Sequence, residues 1–556
     1  MMKVGKFFST TLFFAGFVVS SHAAIIKVKP GGNDGNSGAT WAQAKATLQG
    51  ALFAAAPGDE LWVASGTYAG GLSIGFDVKI YGGFAGTETV LDNRNPNLNP
   101  TTVTGSNTVQ CFQLGTGRTR NMVIDGFIIT NGFSQFGGGI GFGDGSPTIS
   151  NNTFFNNRAE FAGDFDSASG GAIDAYSGSP LIQGNQFINN SCAYNGIGFS
   201  FGVSGGAINM YEGSPVIVAN VFRNNFAEDE SDFGYASGGA IYQYTGTPLL
   251  YNNIFAGNQA TSEGGAVAFY ENQPVVVNNT FSSNAAVSGI GGAFYTYEGN
   301  PTFANNIVAN CETGAVFILI FGGTANNNCL YSNGFYDYAG FTPGGNDVSG
   351  NPSFVDAGTG NYRLQSISIC RNAGANGFLP LNPLNDVYGN ARISEGAVDI
   401  GAAEYTLSMV SISGLVTLED FLGAVSSVSA SYEIIQGGNV VDSGPLTVGS
   451  GGQYAIQTAV LGNSDILIKA SHWLRRAQIN VNIVPGGVSG LNFSLTNGDS
   501  DGDNEVGIGD YAVLSSAYNS SNGDPNWDAT ADLNGDDAVD IADYAILSAN
   551  YGLTGD

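Results

Sequence analysis

Between residues 137 and 311 the apolar positions recur in one pattern, and that pattern predicts three short strands per repeat. Six segments align on their paired glycines: "GGGIGFGDGSPTISNNTFFNN" from Gly137, "GGAIDAYSGSPLIQGNQFINN" from Gly170, "GGAINMYEGSPVIVANVFRNN" from Gly205, "GGAIYQYTGTPLLYNNIFAGN" from Gly238, "GGAVAFYENQPVVVNNTFSSN" from Gly264 and "GGAFYTYEGNPTFANNIVANC" from Gly291. In each, a proline stands ten residues after the first glycine and an asparagine fifteen after it; in all but the last an aromatic residue stands seventeen after it. Alternating β-branched and aromatic residues between Gly, Pro and Asn turn signals read as strands. The starting glycines are 26 to 35 residues apart while the template stays fixed. Length variation is therefore confined to one loop, between the last asparagine of a repeat and the glycines of the next.

A unit of this kind cannot bury its own apolar face and must stack on its neighbours, which predicts a solenoid of β coils. Stacking at about 4.8 Å places Ile140, Ile173, Ile208, Ile241, Val267 and Phe294 in one inward column, and Phe154, Phe187, Phe222, Phe255 and Phe281 in another. Asn152, Asn185, Asn220, Asn253, Asn279 and Asn306 form a third column, read as an amide ladder from coil to coil. On these segments the chain resembles right-handed parallel β-helix proteins of the pectin-lyase-like superfamily. The stretch "IIKVKPGGNDGNSGATWAQAKATLQGALFAAAPGDELWVASGTYAGG" is similar to the N-terminal cap of such proteins, with an amphipathic helix over about Trp41 to Ala56. The resemblance covers residues 25–405 and implies the fold; the superfamily holds lyases, hydrolases, epimerases and non-catalytic surface proteins.

The flanking segments read differently. Residues 1–24 carry Lys3 and Lys6, an apolar run from Phe7 to Val19 and small residues at Ala23 and Ala24, as a secretory signal does, so a secreted or cell-surface protein is expected. No later stretch is long enough for a membrane span. Residues 411–495 alternate as strands of a small β-sandwich, a spacer or accessory module. The expected architecture is all-β, a parallel β-helix followed by a β-sandwich and a small helical module over 497–556. Five cysteines without regular spacing argue against a disulfide scaffold, although a secreted setting permits one bridge such as Cys311 with Cys329. The net charge of -29 argues against nucleic acid or an anionic membrane as partner, and against a direct grip on a polyanion.

Candidate chemistry in the solenoid is sparse. Lyases of the resembled superfamily abstract a proton with Lys or Arg beside a Ca²⁺ held by aspartates; here Arg158 and Arg223 are the only cations between Arg120 and Arg363. Both lie near acidic loops, so the catalytic candidates are Arg158 with Asp164 and Asp166, and Arg223 with Glu228, Asp229 and Asp232, against the plainer reading of solvated loops with surface ion pairs. The only histidines, His22 and His472, stand outside the solenoid, which removes a hydrolase pattern that needs one. Six residues after the first glycine stand Tyr176, Tyr211, Tyr244, Tyr270 and Tyr297, and Glu212, Glu271 and Glu298 follow three of them. Aromatic faces beside carboxylates suit a sugar chain along the solenoid axis, and equally suit a stack that stabilises the sheet.

The C-terminus carries the clearest chemistry. "DSDGDNEVGIGD" places Asp499, Asp501, Asp503, Glu505 and Asp510 at positions 1, 3, 5, 7 and 12 of an EF-hand-type loop. The second copy gives Asp532, Asn534, Asp536, Ala538, Asp540 and Asp543 at 1, 3, 5, 7, 9 and 12, with position 7 offering its backbone carbonyl. Hard oxygen donors at this spacing suit Ca²⁺, two ions in all, and residues 497–556 hold thirteen acids and no Lys or Arg, so folding is expected to couple to cation binding. Val506 and Val539 read as apolar anchors under the loops. Asn504 and Asp537 replace the usual glycine at position 6, and both residue types tolerate a left-handed backbone. The paired units resemble a type I dockerin, which implies docking to a cohesin-like or cell-surface protein. Ile508, Gly509, Ile541 and Ala542 depart from the Ser/Thr usual at positions 10 and 11 of that family. The sequence thus leads to a polysaccharide-binding protein tied to polysaccharide breakdown; a polysaccharide lyase or glycoside hydrolase in the groove, and a non-catalytic adhesion protein, remain as alternatives.

Overall fold

The computed structural model describes residues 23–556 apart from 164, 197, 232–233, 321, 381–384 and 407–408. The predicted signal segment, but for its last two residues, and the candidates Asp164 and Asp232 lie outside the described residues. Two compact units are present, Met1–Tyr405 and Thr406–Asp556.

The first unit is a parallel β-helix. Each repeat contributes one strand to each of three long sheets: sheet 1 from the Gly-Gly segment (Ile140–Asp144 and its equivalents), sheet 2 after the proline (Thr148–Ser150) and sheet 3 after the asparagine (Thr153–Phe155). They hold ten, eleven and eleven strands, all pairs parallel, and each strand pairs with the equivalent strand one coil away. The inward columns fall in register as expected, Ile140 with Ile173 and Phe154 with Phe187, and so on down the stack. The phenylalanines are fully buried, with centroids 4.7 to 4.8 Å apart and nearly parallel rings.

The turn between sheets 2 and 3 is one residue in left-handed backbone followed by the ladder asparagine; Asn151, Asn252, Asn278 and Asn305 hold φ of 54° to 56° there. Asn152 donates from its backbone N–H (2.9 Å) and from Nδ2 (3.1 Å) to Asn185 Oδ1, and from Nδ2 to Ile124 O (2.9 Å). The same bonds repeat through Asn306 to Asn328, whose N–H donates to Asp347 Oδ1 (2.8 Å). A second ladder, Asn157 to Asn190, Asn225, Asn258 and Asn284, closes the exit from sheet 3. Every one of these amides is buried, and a buried amide without partners costs about 1–3 kcal/mol, so the ladders hold the turns in one geometry.

Helix α1 (Leu48–Ala54) caps the N-terminal end with Leu48, Ala51 and Leu52 buried. It is shorter than the sequence predicts: Thr47 caps it by accepting from Gly50 N, and Trp41–Gln43 is a separate 3-10 turn. The variable loops gather into a lobe with its own core of Ala159, Cys192, Tyr194, Val203 and Ala227. After the last coils, residues 354–405 return along the outside of sheet 3, where Asn252, Asn278 and Asn305 donate to Asn385 O, Asp399 O and Ala375 O.

In the second unit a three-stranded and a four-stranded sheet share a core that includes Ile412, Tyr454, Ile466 and Trp473. Helices α2 (Ile508–Ala517) and α3 (Ile541–Asn550) pack through Leu514 and Leu547, with Tyr511 and Tyr544 edge to face at 5.4 Å. Val506 and Val539 are buried beneath the two acidic loops.

Candidate functional site

The outward residues of sheet 1 form two rows. In the first, Tyr176, Tyr211, Tyr244, Tyr270 and Tyr297 stack face to face, with centroids 5.1, 4.9, 5.1 and 4.4 Å apart and planes within 17° of parallel. Rings so arranged cover one another's faces and leave edges and hydroxyls to the outside. The column therefore cannot hold a sugar by stacking except at its two ends; it can offer a row of hydroxyl groups. Glu212, Glu271 and Glu298 lie in register beside it, with Thr245 between the first two. The Glu271 carboxylate raises the pKa of the Tyr244 phenol above its usual value, and burial with the neighbouring phenols does the same at Tyr270, so both stay protonated donors.

The second row faces the loop lobe and was not singled out in the sequence. Asp174 Oδ1 accepts from Ser169 Oγ (2.5 Å) and Asn209 Nδ2 (2.8 Å), and Asn209 Oδ1 accepts from Ser204 Oγ (3.0 Å). Burial pushes the Asp174 carboxyl up to about 6, against two hydrogen bonds that lower it. Two coils on from Asp174 stands Tyr242, its phenol raised by burial, and beyond it Glu263 accepts from the hydroxyls of Tyr235 and Tyr295. Burial raises the Glu263 carboxyl. The only signal for this row was polarity at the fourth position after the first glycine, which changes from Gly141 to Asp174, Asn209 and Tyr242 and so has no period to catch the eye.

Among the described residues the structure does not gather the arginines and loop acids. Arg158 pairs with Glu160 at 2.7 Å and lies over the Phe133 ring at 5.2 Å. Arg223 projects from sheet 3 onto the returning segment, where a methyl at Gly360 would overlap its guanidinium. Asp229 turns into its own loop and accepts from Ser231 N (3.0 Å), Ser231 Oγ (2.7 Å) and Tyr235 N (3.1 Å), and Asp166 accepts from Ser167 N (2.8 Å). Glu228 is exposed.

In the second unit the acidic loops are compact. Oxygens of Asp499, Asp501 and Asp503 lie within 4.8 Å of one another. Asp510 accepts from Asp501 N (3.0 Å) and Gly507 N (2.6 Å), and Asp543 from Leu533 N (2.7 Å), Asn534 N (3.1 Å) and Asp540 N (2.8 Å), so each position-12 carboxylate ties its helix to its loop. Asp532 accepts from the N–H groups of Gly535, Asp536 and Asp537. Asn534 and Asp536 follow it at the ligand spacing, while Glu505 and Ala538 occupy position 7 and Asp540 caps α3. Asn504 and Asp537 adopt left-handed backbone, φ 71° and 66°, where a glycine would commonly stand. Burial raises the carboxyls of Asp532 and Asp543, as does the crowding of like charges. Oδ1 of Asp532 and of Asp543 each already accept two hydrogen bonds, while their Oδ2 atoms accept one and keep a free lone pair, and it is through such oxygens that these residues fit a hard cation. Lys469 departs from that pattern: its Nζ donates to Asp499 Oδ2 at 2.5 Å as well as to Ser471 O and Trp473 O.

The family described as "Right handed beta helix region" matches residues 202–353, in agreement with the parallel sheets. No curated protein matches the chain. Among solved structures, an N-terminal and a C-terminal interface mutant of a type II cohesin–X-dockerin complex from Acetivibrio cellulolyticus are similar at 19% and 20% identity. Each likeness covers 26% of this chain and 97% of that chain with a TM-score of 0.23.

Proposed function

We propose that the protein is a secreted, modular polysaccharide-binding protein: the solenoid presents an elongated face to a glycan, and the acidic tail folds around two Ca²⁺ and docks to a cohesin-like or cell-surface protein. The observation that carries the first part is the unbroken row of five tyrosine hydroxyls along sheet 1, flanked by acceptor carboxylates at Glu212, Glu271 and Glu298. A hydroxyl donor on each of five coils, with an acceptor carboxylate on three of them, matches a ligand that itself repeats hydroxyl groups, and recognition runs through hydrogen bonds. Ca²⁺, when bound, would supply positive charge among carboxylates that otherwise repel one another. Asp499, Asp501, Asp503, Glu505 and Asp510 would hold one ion, and Asp532, Asn534, Asp536, Ala538, Asp540 and Asp543 the other. Beside these loops Ile508 and Ile541 are 76% and 66% exposed, apolar residues at the start of both helices that suit a protein partner.

A panel of polysaccharides screened against the purified chain, with binding and product release both recorded, tests the solenoid reading. Binding is expected without cleavage, and Tyr211→Phe with Tyr244→Phe should weaken it several-fold because the hydroxyls are removed and the rings kept. Unchanged binding by that double variant refutes the hydroxyl row; released oligosaccharide moves the assignment to a lyase or hydrolase. For the tail, calorimetry with Ca²⁺ should resolve two sites, and Asp499→Ala with Asp532→Ala should abolish both.

A further inference from the structure

The five cysteines divide among three separate cores. Cys111 and Cys311 point into the solenoid, Cys192 lies in the loop lobe, and Cys329 and Cys370 share a third cluster with Ile307, Ala309, Leu364 and Ile400. A bridge between Cys311 and Cys329, the pair suggested by sequence proximity, is thereby excluded: the two thiols belong to opposite faces of the solenoid wall. In strand Cys329–Tyr331 the neighbouring Leu330 turns into the solenoid core, so Cys329 faces outward, onto the returning segment. Cys370 stands in that segment, held by its N–H on Ser368 Oγ (3.1 Å) and by its carbonyl accepting from Ile400 N (2.9 Å). The two thiols are neighbours within one buried cluster, where Cys329 Sγ also donates to Gly350 O at 3.5 Å. Both are free and wholly buried.

We propose that Cys329 and Cys370 are a disulfide-forming pair that bolts the returning segment to the solenoid when the chain folds in the presence of a disulfide oxidant. The oxidant is a small-molecule disulfide. One cysteine thiolate attacks it, forming a mixed disulfide and releasing one thiol; the second cysteine thiolate attacks the protein sulfur of that mixed disulfide and releases the other thiol. Two protein thiols lose two electrons and two protons, and one small disulfide becomes two thiols. Because neither sulfur is accessible in the closed fold, exchange takes place before residues 354–405 settle on sheet 3. Burial of both sulfurs then shields the bond from reductants. Membership of one small buried cluster brings the two thiols near enough for a disulfide to be considered, and no other pair of the five cysteines shares a cluster outside the solenoid interior.

Folding of the full chain with oxidised glutathione, followed by denaturation, alkylation and peptide mapping, tests the pair. Three of the five cysteines should alkylate, and one cross-linked peptide should contain Cys329 and Cys370. Cys311→Ser should keep that cross-link, while Cys329→Ser and Cys370→Ser should each leave all four remaining thiols reactive. Reductant should lower the unfolding temperature of the wild type and leave that of Cys329→Ser unmoved. Five reactive thiols after oxidative folding, or a cross-link through any other pair, would overturn the proposal; the wild-type map alone decides the matter if a serine variant fails to fold.

Discussion

Asp174→Asn should make the solenoid more stable at neutral pH and less stable in acid. The next coil already holds this chemistry, since Asn209 stands in register with Asp174 and accepts from Ser204 as Asp174 accepts from Ser169. An ordinary aspartate at 3.8 is raised here to about 6. Below the lower value the carboxyl is protonated in both folded and unfolded chains. Between the two the unfolded chain ionises while the fold still holds its proton, so stability falls as pH rises through this window and the loss is complete above about 6. At about 1.4 kcal/mol per pH unit the ionised form costs about 3 kcal/mol. Asparagine removes that cost and introduces an amide N–H without an assured partner, which returns about 1–2 kcal/mol. The variant should therefore gain about 1–2 kcal/mol at pH 7.5 and lose about as much at pH 4, with the curves crossing between. Hydrogen exchange of peptides covering residues 170–210, at several pH values, reads this locally, so that partial unfolding elsewhere in the solenoid does not average it away. A difference between the two proteins that stays constant from pH 4 to 8 would refute the reasoning.

Two other perturbations follow from the same structure. Asn220→Ala removes a side chain that accepts from Asn185 and donates to Ile182 O and Asn253 Oδ1, all buried, and should cost about 3–5 kcal/mol in thermal unfolding; a loss below about 1 kcal/mol would show the ladder to be ornamental. His472 is packed on Trp473 at 3.9 Å, and burial, helped by the charge of Lys469, lowers it to about 4 from 6.5. The unfolded chain then binds the extra proton between those values, so the second unit should lose about 3 kcal/mol as pH falls from about 6.5 to 4, and His472→Gln, followed by tryptophan fluorescence in urea, should lack that slope.

The solenoid was legible because its coils repeat the same inward positions, and a column such as Phe154 to Phe281 can be read from one strand and checked on the next. The second ladder from Asn157 was equally present in the paired asparagines that end the template, but these pass for turn residues until their amides are seen to reach the coil beyond. The tyrosine column was found with two readings open, rings facing a sugar or rings stacked on one another: spacing gives the position of a ring on a sheet and says nothing of its tilt, which stacking along the axis decides. The loop lobe and residues 354–405 have no period, so neither Asp174's surroundings nor the meeting of Cys329 with Cys370 could be read in advance. The cap helix came out shorter because Thr47 caps it by accepting from Gly50 N, where a longer apolar stripe had suggested an earlier start.

The ladder of Asn152 to Asn328 runs in a single direction, each amide oxygen serving the coil before it, and it stops on the carboxylate of Asp347. A coil inserted anywhere along it would find the same donor above and the same acceptor below. Each coil also brings about 4.8 Å of outer surface, and five successive coils each carry one tyrosine of the column. The solenoid is in this sense a ruler whose graduations are interchangeable, and lineages could lengthen or trim its reach by whole coils without redesigning either end.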